Sequence, residues 1–491
     1  MNKIPWAPGK VPALGHALPL MRDPQAFLSS LPASGDMVRL KLGPVRAIML
    51  CDLELTRRVL RDERTFDRSG PLFDRVQEAV GSGISQSADR HKQTRRMIQP
   101  AFTRARLPGY AQKMTRQLTE VTDSWRDGQV LDIPAEMQAV ATRSALSSMF
   151  SHALSGPAIE QSADDLSTIF AGFYRRTVTP PWMSRMPTPG NARYQRAISR
   201  LRGMVAEIVA ERRAAGTDHT DLLSSLLAAE DTGEGEEDGQ PAAARLTDSE
   251  IGDAVMGFFI AGVQSTATLL AWALYLVATH PDIEARLLAE TTSVLAGQHP
   301  SFEHVHELQL TGKVITETLR LYPPGWLLVR TANTDTSLNG HDIPGGTVLF
   351  YSPYLIHHRD DLHADPMRFD PGRWERVPPP PNQPFIAFGY GPGKCVAENF
   401  GFVEATLALA AITSRWHLEP MPGERVRPAL AFALRPQRLH LRATARNLGG
   451  DASSRLVDGT ARLSRLSPRT HRHQFEGIAA RPEGTTCVVR Q

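Results

Sequence analysis

Reactive chemistry in this chain concentrates at one cysteine. Residues 388–401 read FGYGPGKCVAENFG, in which Gly389, Gly391 and Gly393 precede Cys395 and a helical pattern starts at about residue 396. The three cysteines, at 51, 395 and 487, show neither metal-ligand spacing nor an even disulfide framework, which fits a reducing, cytoplasmic setting. A lone cysteine is by default a small buried hydrophobe. Here the glycines let the backbone approach a partner closely, and the N–H groups of a helix N-terminus favour thiolate over thiol. The loop reads as a holder for Cys395 as an anion against a flat partner.

Two further constellations carry charge. In ETLRLYPP (317–324), Glu317 and Arg320 are three residues apart and share a helix face. In DPMRFDPGRW (365–374), Arg373 lies in a proline-bounded turn, with a guanidinium suited to bidentate pairing with Glu317. At a surface such pairs contribute little and say nothing about function. A third feature is the run 254–278, which is 25 residues without a charge. Its length suits a membrane span. However, Gln264, Ser265, Thr266 and Thr268 cluster at its middle, where lipid tolerates polarity least. LTDSE (246–250) precedes it as a capping box, Thr247 with Glu250. We therefore expect a long helix buried in a helical domain.

In this order the motifs become specific. AGVQST (261–266), ETLR, FDPGRW and FGYGPGKC resemble the cytochrome P450 family, and the likeness extends over residues 5–445. Phe388, Gly391 and Cys395 match Phe-x-x-Gly-x-x-x-Cys, and Glu317 and Arg320 match Glu-x-x-Arg, with Arg373 as third member of that structural triad. The resemblance implies that Cys395 is the axial thiolate of a haem b iron, whose electron donation favours O–O cleavage and C–H oxidation. It also assigns His91 and Arg95, four apart in HKQTR, and Arg330 to the haem propionates.

Two departures from the family pattern stand out. Gly393 occupies the place two before the cysteine where many members carry Arg or His, so one propionate contact fewer is expected; Lys394 is expected to face solvent. In the central helix the family runs small residue, Gly, any residue, acid, Thr. This chain has Ala261, Gly262, Val263, Gln264 and Ser265, then Thr266. Gln264 cannot relay a proton as a carboxylate does, whereas Ser265 keeps a hydroxyl and Thr266 supplies another. Gln264, Ser265 and Thr266 are the candidate catalytic residues, with water and a hydroxyl delivering protons. A peroxygenase, an isomerase or dehydratase, and a non-catalytic haem-binding sensor stay open as alternatives to a monooxygenase.

By the same resemblance, substrate contacts fall at Phe73, before His91, and at Phe170 and Phe173. Others fall at Gly257, Ile260 and Ala261 on the central helix, and at Trp326 and Leu327 after Pro324. All are apolar, which points to a lipophilic substrate, a terpenoid or related secondary metabolite. Without a flavin or nicotinamide fingerprint, electrons must come from outside. The resemblance implies a ferredoxin and ferredoxin reductase, with NAD(P)H as their source. RHKQTRRMIQPAFTRAR (90–106) has five Arg, one Lys and no acid, a face suited to an acidic ferredoxin.

The elements that must position these residues are mostly helical. Residues 37–52 read as two strands around a Gly-Pro turn, followed by a helix. Helical periodicity dominates 90–230, interrupted at 179–191, and an acidic glycine-rich loop spans 230–242. Alternation around Asn-Gly and Pro-Gly-Gly turns after residue 325 reads as a small sheet, and RVPPPPNQP (376–384) leads into the cysteine loop. The expected fold is mainly α with a small β-sheet region, one haem domain over 1–445. Residues 446–491 hold eight Arg and four acids; this +4 exceeds the chain's net +3, leaving −1 for 1–445. They read as a basic, disordered tail. No basic run interleaved with aromatics suggests nucleic acid. Prolines and glycines break the first twenty residues against a signal or membrane anchor, and a monomer is expected.

Overall fold

The computed structural model describes residues 3–446 apart from 13, 44, 70–80, 82–87, 152–154, 179–182, 184–185, 216–220, 232–243, 376–382 and 430–432. The expected tail, acidic loop and proline run thus fall largely or wholly outside the described residues. What is described belongs to one compact unit ending at Arg446.

Alternating apolar residues in 37–50 form the antiparallel hairpin Met37–Leu42 and Val45–Leu50, with Leu42 opposite Val45. Strand Val348–Tyr351 joins Val45–Leu50 in parallel and Leu328–Ala332 antiparallel; the short strand Phe66–Asp67 adds on at the far edge. The sheet expected after residue 325 is therefore shared with the N-terminus. That parallel pairing is non-local, so local alternation could not announce it. A three-stranded sheet of Trp416–Pro420, His440–Ala445 and Val130–Asp132 stands apart in the strand ordering.

The uncharged run forms the core of one helix, Asp248–Ala278, opened by the expected capping box of Thr247 and Glu250. Most of its apolar stretch is buried inside the protein, against the helices Ile133–Phe150, Gln309–Leu321 and Glu398–Arg415. Trp272 stacks on Tyr322 at 3.8 Å and donates its indole N–H to the Leu434 carbonyl at 2.6 Å. Leu270 and Leu274 are almost wholly buried, each contributing about 1.5–3 kcal/mol relative to exposure. The helix therefore finds inside the protein the apolar surroundings that its composition requires. One segment, Phe259–Val263, is wound as a π-helix, an irregularity that often marks functional sites.

Candidate active site

The charged triad forms deep in the protein, not on its surface. Glu317 and Arg320 have fully buried side chains and pair bidentately, Nε and Nη2 each donating to a carboxylate oxygen at 2.8 Å. Arg320 also donates to the carbonyls of His357, Pro366 and Arg368. Arg373 reaches Glu317 at 3.4 Å, Trp374 donates to it at 3.0 Å, and the Asp370 N–H completes the set at 3.1 Å. Two buried charges are tolerable because nearly every lone pair and N–H is used. The connection to the cysteine loop runs through His357. Its Nδ1 lies 3.1 Å from the Arg320 carbonyl, and its Nε2 accepts the Ile386 N–H at 2.9 Å. Burial keeps this imidazole neutral, well below its ordinary value, so it can donate at one nitrogen and accept at the other.

From Ile386 the loop folds on itself. Gly389 N–H donates to Ile386, and Cys395 N–H donates to the Phe388 carbonyl at 2.8 Å. Gly391 has φ +68°, and a Cβ there would sit 2.8 Å from the Leu60 carbonyl oxygen, so glycine is required by both conformation and space. Tyr390 beside it accepts a hydrogen bond from Arg61 at 2.8 Å. Cys395 precedes the helix Glu398–Arg415 and is exposed at a cleft of about 330 Å³ that Arg95, Phe102, Arg104 and Lys394 also line. The thiol reaches this opening while protein atoms surround most of it. Burial accordingly pushes its pKa up, opposed by the Ala397 N–H and the nearby Arg95 and Lys394. Lys394 is half-exposed and pairs with Glu398, as its expected solvent-facing position requires.

Beside the loop lies a buried charge cluster that includes a residue the sequence did not single out. Arg68, just beyond strand Phe66–Asp67, donates Nη2 to the Gly393 carbonyl at 3.0 Å and contacts His91. Glu63 lies 3.5 Å from both Arg68 and His91. Burial pushes the Glu63 carboxyl up, but His91, Arg68 and Arg330 outweigh it and hold it below its usual range. Burial, then Arg330, brings Arg68 down to about 10. His91 is lowered by burial, with Arg68 and Arg95 adding to the effect against Glu63. Arg95 bonds the Lys394 carbonyl, and Arg330 is buried against the Tyr351 ring. The three cations expected at the propionates thus converge on residues 393–395 or their surroundings. The space beside Gly393 is taken by Arg68, which comes from a distant segment. No local motif marks Arg68, because its position depends on strand pairing.

On the central helix, Ala261 and Gly262 are exposed within the π-segment although the helix around them is buried, so the helix borders an internal opening there. Ser265 is half-buried, one turn on. The Gln264 amide donates to Thr268 at 3.4 Å. The hydroxyl of Thr266 donates to the buried Glu404 at 3.2 Å, so it is already engaged away from Ser265 and Gln264. Among the expected substrate contacts, Gly257 and Ile260 are buried, and Phe170 is half-buried against the helical core. Trp326 packs into the core beside the five-stranded sheet, with Leu327 against it. Phe73 and the side chain of Phe173 lie outside the described residues.

The residues fit a haem. Among the described residues no cluster of three or more His, Cys, Asp or Glu could hold a bare metal ion, whereas a single exposed thiolate suits an iron that brings its own ring nitrogens. Buried Arg330 Nε has no hydrogen-bond partner among the described groups, as a cationic donor awaiting an anion would. The comparisons agree. The cytochrome P450 family profile matches residues 5–442. Cyclooctat-9-en-7-ol 5-monooxygenase of Streptomyces melanosporofaciens is 41% identical over 85% of this chain and 91% of its own. Pentalenene oxygenase of Streptomyces avermitilis is 38% identical over 90% of this chain and 98% of its own. The crystal structure of the cytochrome P450DA haem domain shares the fold, with a TM-score of 0.79 at 24% identity over 91% of this chain and 99% of that one. With the thiolate loop, the buried triad and the interrupted central helix in one fold, the chain belongs to the cytochrome P450 family.

Proposed function

We propose that this haem-thiolate monooxygenase oxidises a terpenoid or similar lipophilic secondary metabolite, drawing electrons from an acidic ferredoxin. The observation that carries the substrate class is the opening at Ala261 and Gly262, within a helix that has no charge from 254 to 278. This helix offers no charge to pair with a carboxylate or an amine, so affinity along it comes from apolar contact. Two relatives support the reading: by their names they act on an alkene, pentalenene, and on an unsaturated alcohol, cyclooctat-9-en-7-ol.

Cys395 provides the thiolate, and the bound haem supplies the O₂ chemistry. The protein's own part is to position, shield and deliver protons. Gln264 is held by Thr268 and cannot lose a proton to the site, and the Thr266 hydroxyl is engaged with Glu404. Ser265, half-buried beside the opening, is left as the hydroxyl through which water passes protons. On the thiolate side, Arg95, Arg104 and Lys394 rim the cleft at Cys395, a cationic surface on which an acidic electron carrier gains orientation and association rate. A reducing, cytoplasmic setting suits such a carrier.

The test is turnover under ¹⁸O₂ with ferredoxin, reductase and NAD(P)H against a panel of cyclic terpene hydrocarbons, terpene alcohols and fatty acids. One labelled oxygen in a terpene product is expected. Product without label would sink the monooxygenase assignment. Label in fatty acids alone would sink the substrate class.

A further inference from the structure

Gly393 is not empty space in the loop. A Cβ built on it would lie 2.3 Å from Arg68 Nη2, 2.4 Å from Glu63 Oε1 and 3.3 Å from Arg330 Nη2. Real Cβ atoms do not approach so closely, so no side chain at 393 coexists with Arg68 where it stands. The two positions are thus alternatives for one volume: a side chain can enter from the cysteine loop or from residue 68, but not from both.

Strand pairing explains how Arg68 arrives there. Asp67 pairs with Thr331 in antiparallel register, which brings Arg68 next to Arg330 across the sheet edge. Two guanidiniums side by side in a buried site repel, and burial of each costs several kcal/mol unless it is paired. Among the described residues Glu63 lies 3.5 Å from Arg68 and also draws on Arg330, and His91 is held toward its neutral form. The two guanidiniums thus share the Glu63 carboxylate. The buried Arg330 Nε makes no hydrogen bond among the described residues, whereas His91 Nδ1 faces Glu63 at 3.5 Å. An anion is missing from the balance, and a flat cofactor lying against Cys395 with carboxylates on its edge would supply it.

We propose that Arg68 occupies the cation position that Gly393 leaves open and pairs there with a haem propionate, so that the glycine and the arginine form a matched exchange. Arg68 is a positioning residue: it anchors the cofactor and takes no part in oxidation. Its bond to the Gly393 carbonyl is the second half of the device, tying the anchor to the loop that carries Cys395.

A different role is that Arg68 only buttresses the loop through that carbonyl bond, and haem transfer separates the two. Wild type, Arg68→Gln, Gly393→Arg and the double substitution Arg68→Gly/Gly393→Arg are purified as holoproteins, and haem loss to apomyoglobin is timed. A lost charge-assisted hydrogen bond makes Arg68→Gln release haem on the order of 10- to 100-fold faster. Gly393→Arg alone also loses haem faster because it collides with Arg68. The double variant returns to within a few-fold of wild type, because the cation now enters from the loop. Wild type and Arg68→Gln are then loaded with haem dimethyl ester, whose propionates carry no charge, and their loss rates become equal. The proposal is overturned if Arg68→Gln holds natural haem as well as wild type does. It is equally overturned if the double variant is no better than Arg68→Gln, or if the difference persists with the ester. If Arg68→Gln does not fold, as judged by helical circular dichroism, the double variant decides alone: wild-type-like retention supports the exchange and rapid loss refutes it.

Discussion

Replacing Glu404 with glutamine should remove a pH-dependent weakness from the core. Glu404 lies on the Glu398–Arg415 helix with its side chain between that helix and the central one, where Thr266 donates to it at 3.2 Å. Burial raises its pKa from 4.5 to about 7; the hydroxyls of Ser144 and Thr266 oppose this without cancelling it. The folded protein therefore keeps the proton up to about pH 7, whereas the unfolded chain releases it near 4.5. Between these values the folded state binds more protons, so its stability falls as pH rises through the window. At 1.36 kcal/mol per pH unit the gap corresponds to roughly 3 kcal/mol, fully lost above pH 7. Glutamine has nearly the same volume, can still accept from Thr266, and does not titrate. Urea unfolding of wild type and Glu404→Gln at pH 5, 6, 7 and 8 should show the variant gaining on wild type by about 2.5 kcal/mol from pH 5 to 8, the rest being lost already below pH 5. Other titrating groups cancel in the difference because they are common to both proteins. Parallel stability curves, separated by a constant amount, would refute the reasoning.

Cys395→Ala should abolish the red-shifted Soret band of the reduced carbon monoxide complex; a retained band would place the thiolate elsewhere. Arg320→Lys cannot reproduce the bidentate pair with Glu317 and the three carbonyl contacts, and should cost about 3–5 kcal/mol in chemical unfolding, with haem content falling in parallel. Gln264→Glu should reduce hydrogen peroxide release per NAD(P)H consumed by adding a group that exchanges protons; unchanged or greater release would mean that Ser265 and water already suffice. Arg104→Glu should slow ferredoxin-dependent reduction at low salt, and the difference from wild type should shrink near 1 M salt as screening removes it.

The parts of this site that sequence exposes are those held by short spacings. Phe388, Gly391 and Cys395 lie within one loop, and Glu317 and Arg320 within one helical turn, so periodicity alone brings them together. The uncharged 254–278 run is legible too, because a helix this apolar must be enclosed by something. Arg68 is invisible in that way. It lies in FDRSG, an ordinary turn, and gains meaning only when Phe66–Asp67 pairs with Leu328–Ala332 across more than half the chain. The partner of Thr266 is hidden for a similar reason: its place after Ser265 is plain in the sequence, but Glu404 comes from a helix 138 residues away. The π-segment likewise has no residue signature beyond the small pair Ala261 and Gly262.

The contact of Gly391 with Leu60 is reinforced by the bond between Tyr390 and Arg61, which spans 329 residues of sequence. One wall of the thiolate cradle is made early in synthesis and the other near its end. At ~5–20 residues per second the first wall waits roughly 15–60 s for its partner to leave the ribosome. Throughout that interval the helix Leu53–Arg61 can pack only on the hairpin of 37–50 and lacks its contact with the cysteine loop. The site that holds the cofactor is thus completed only after the loop at Cys395 has left the ribosome.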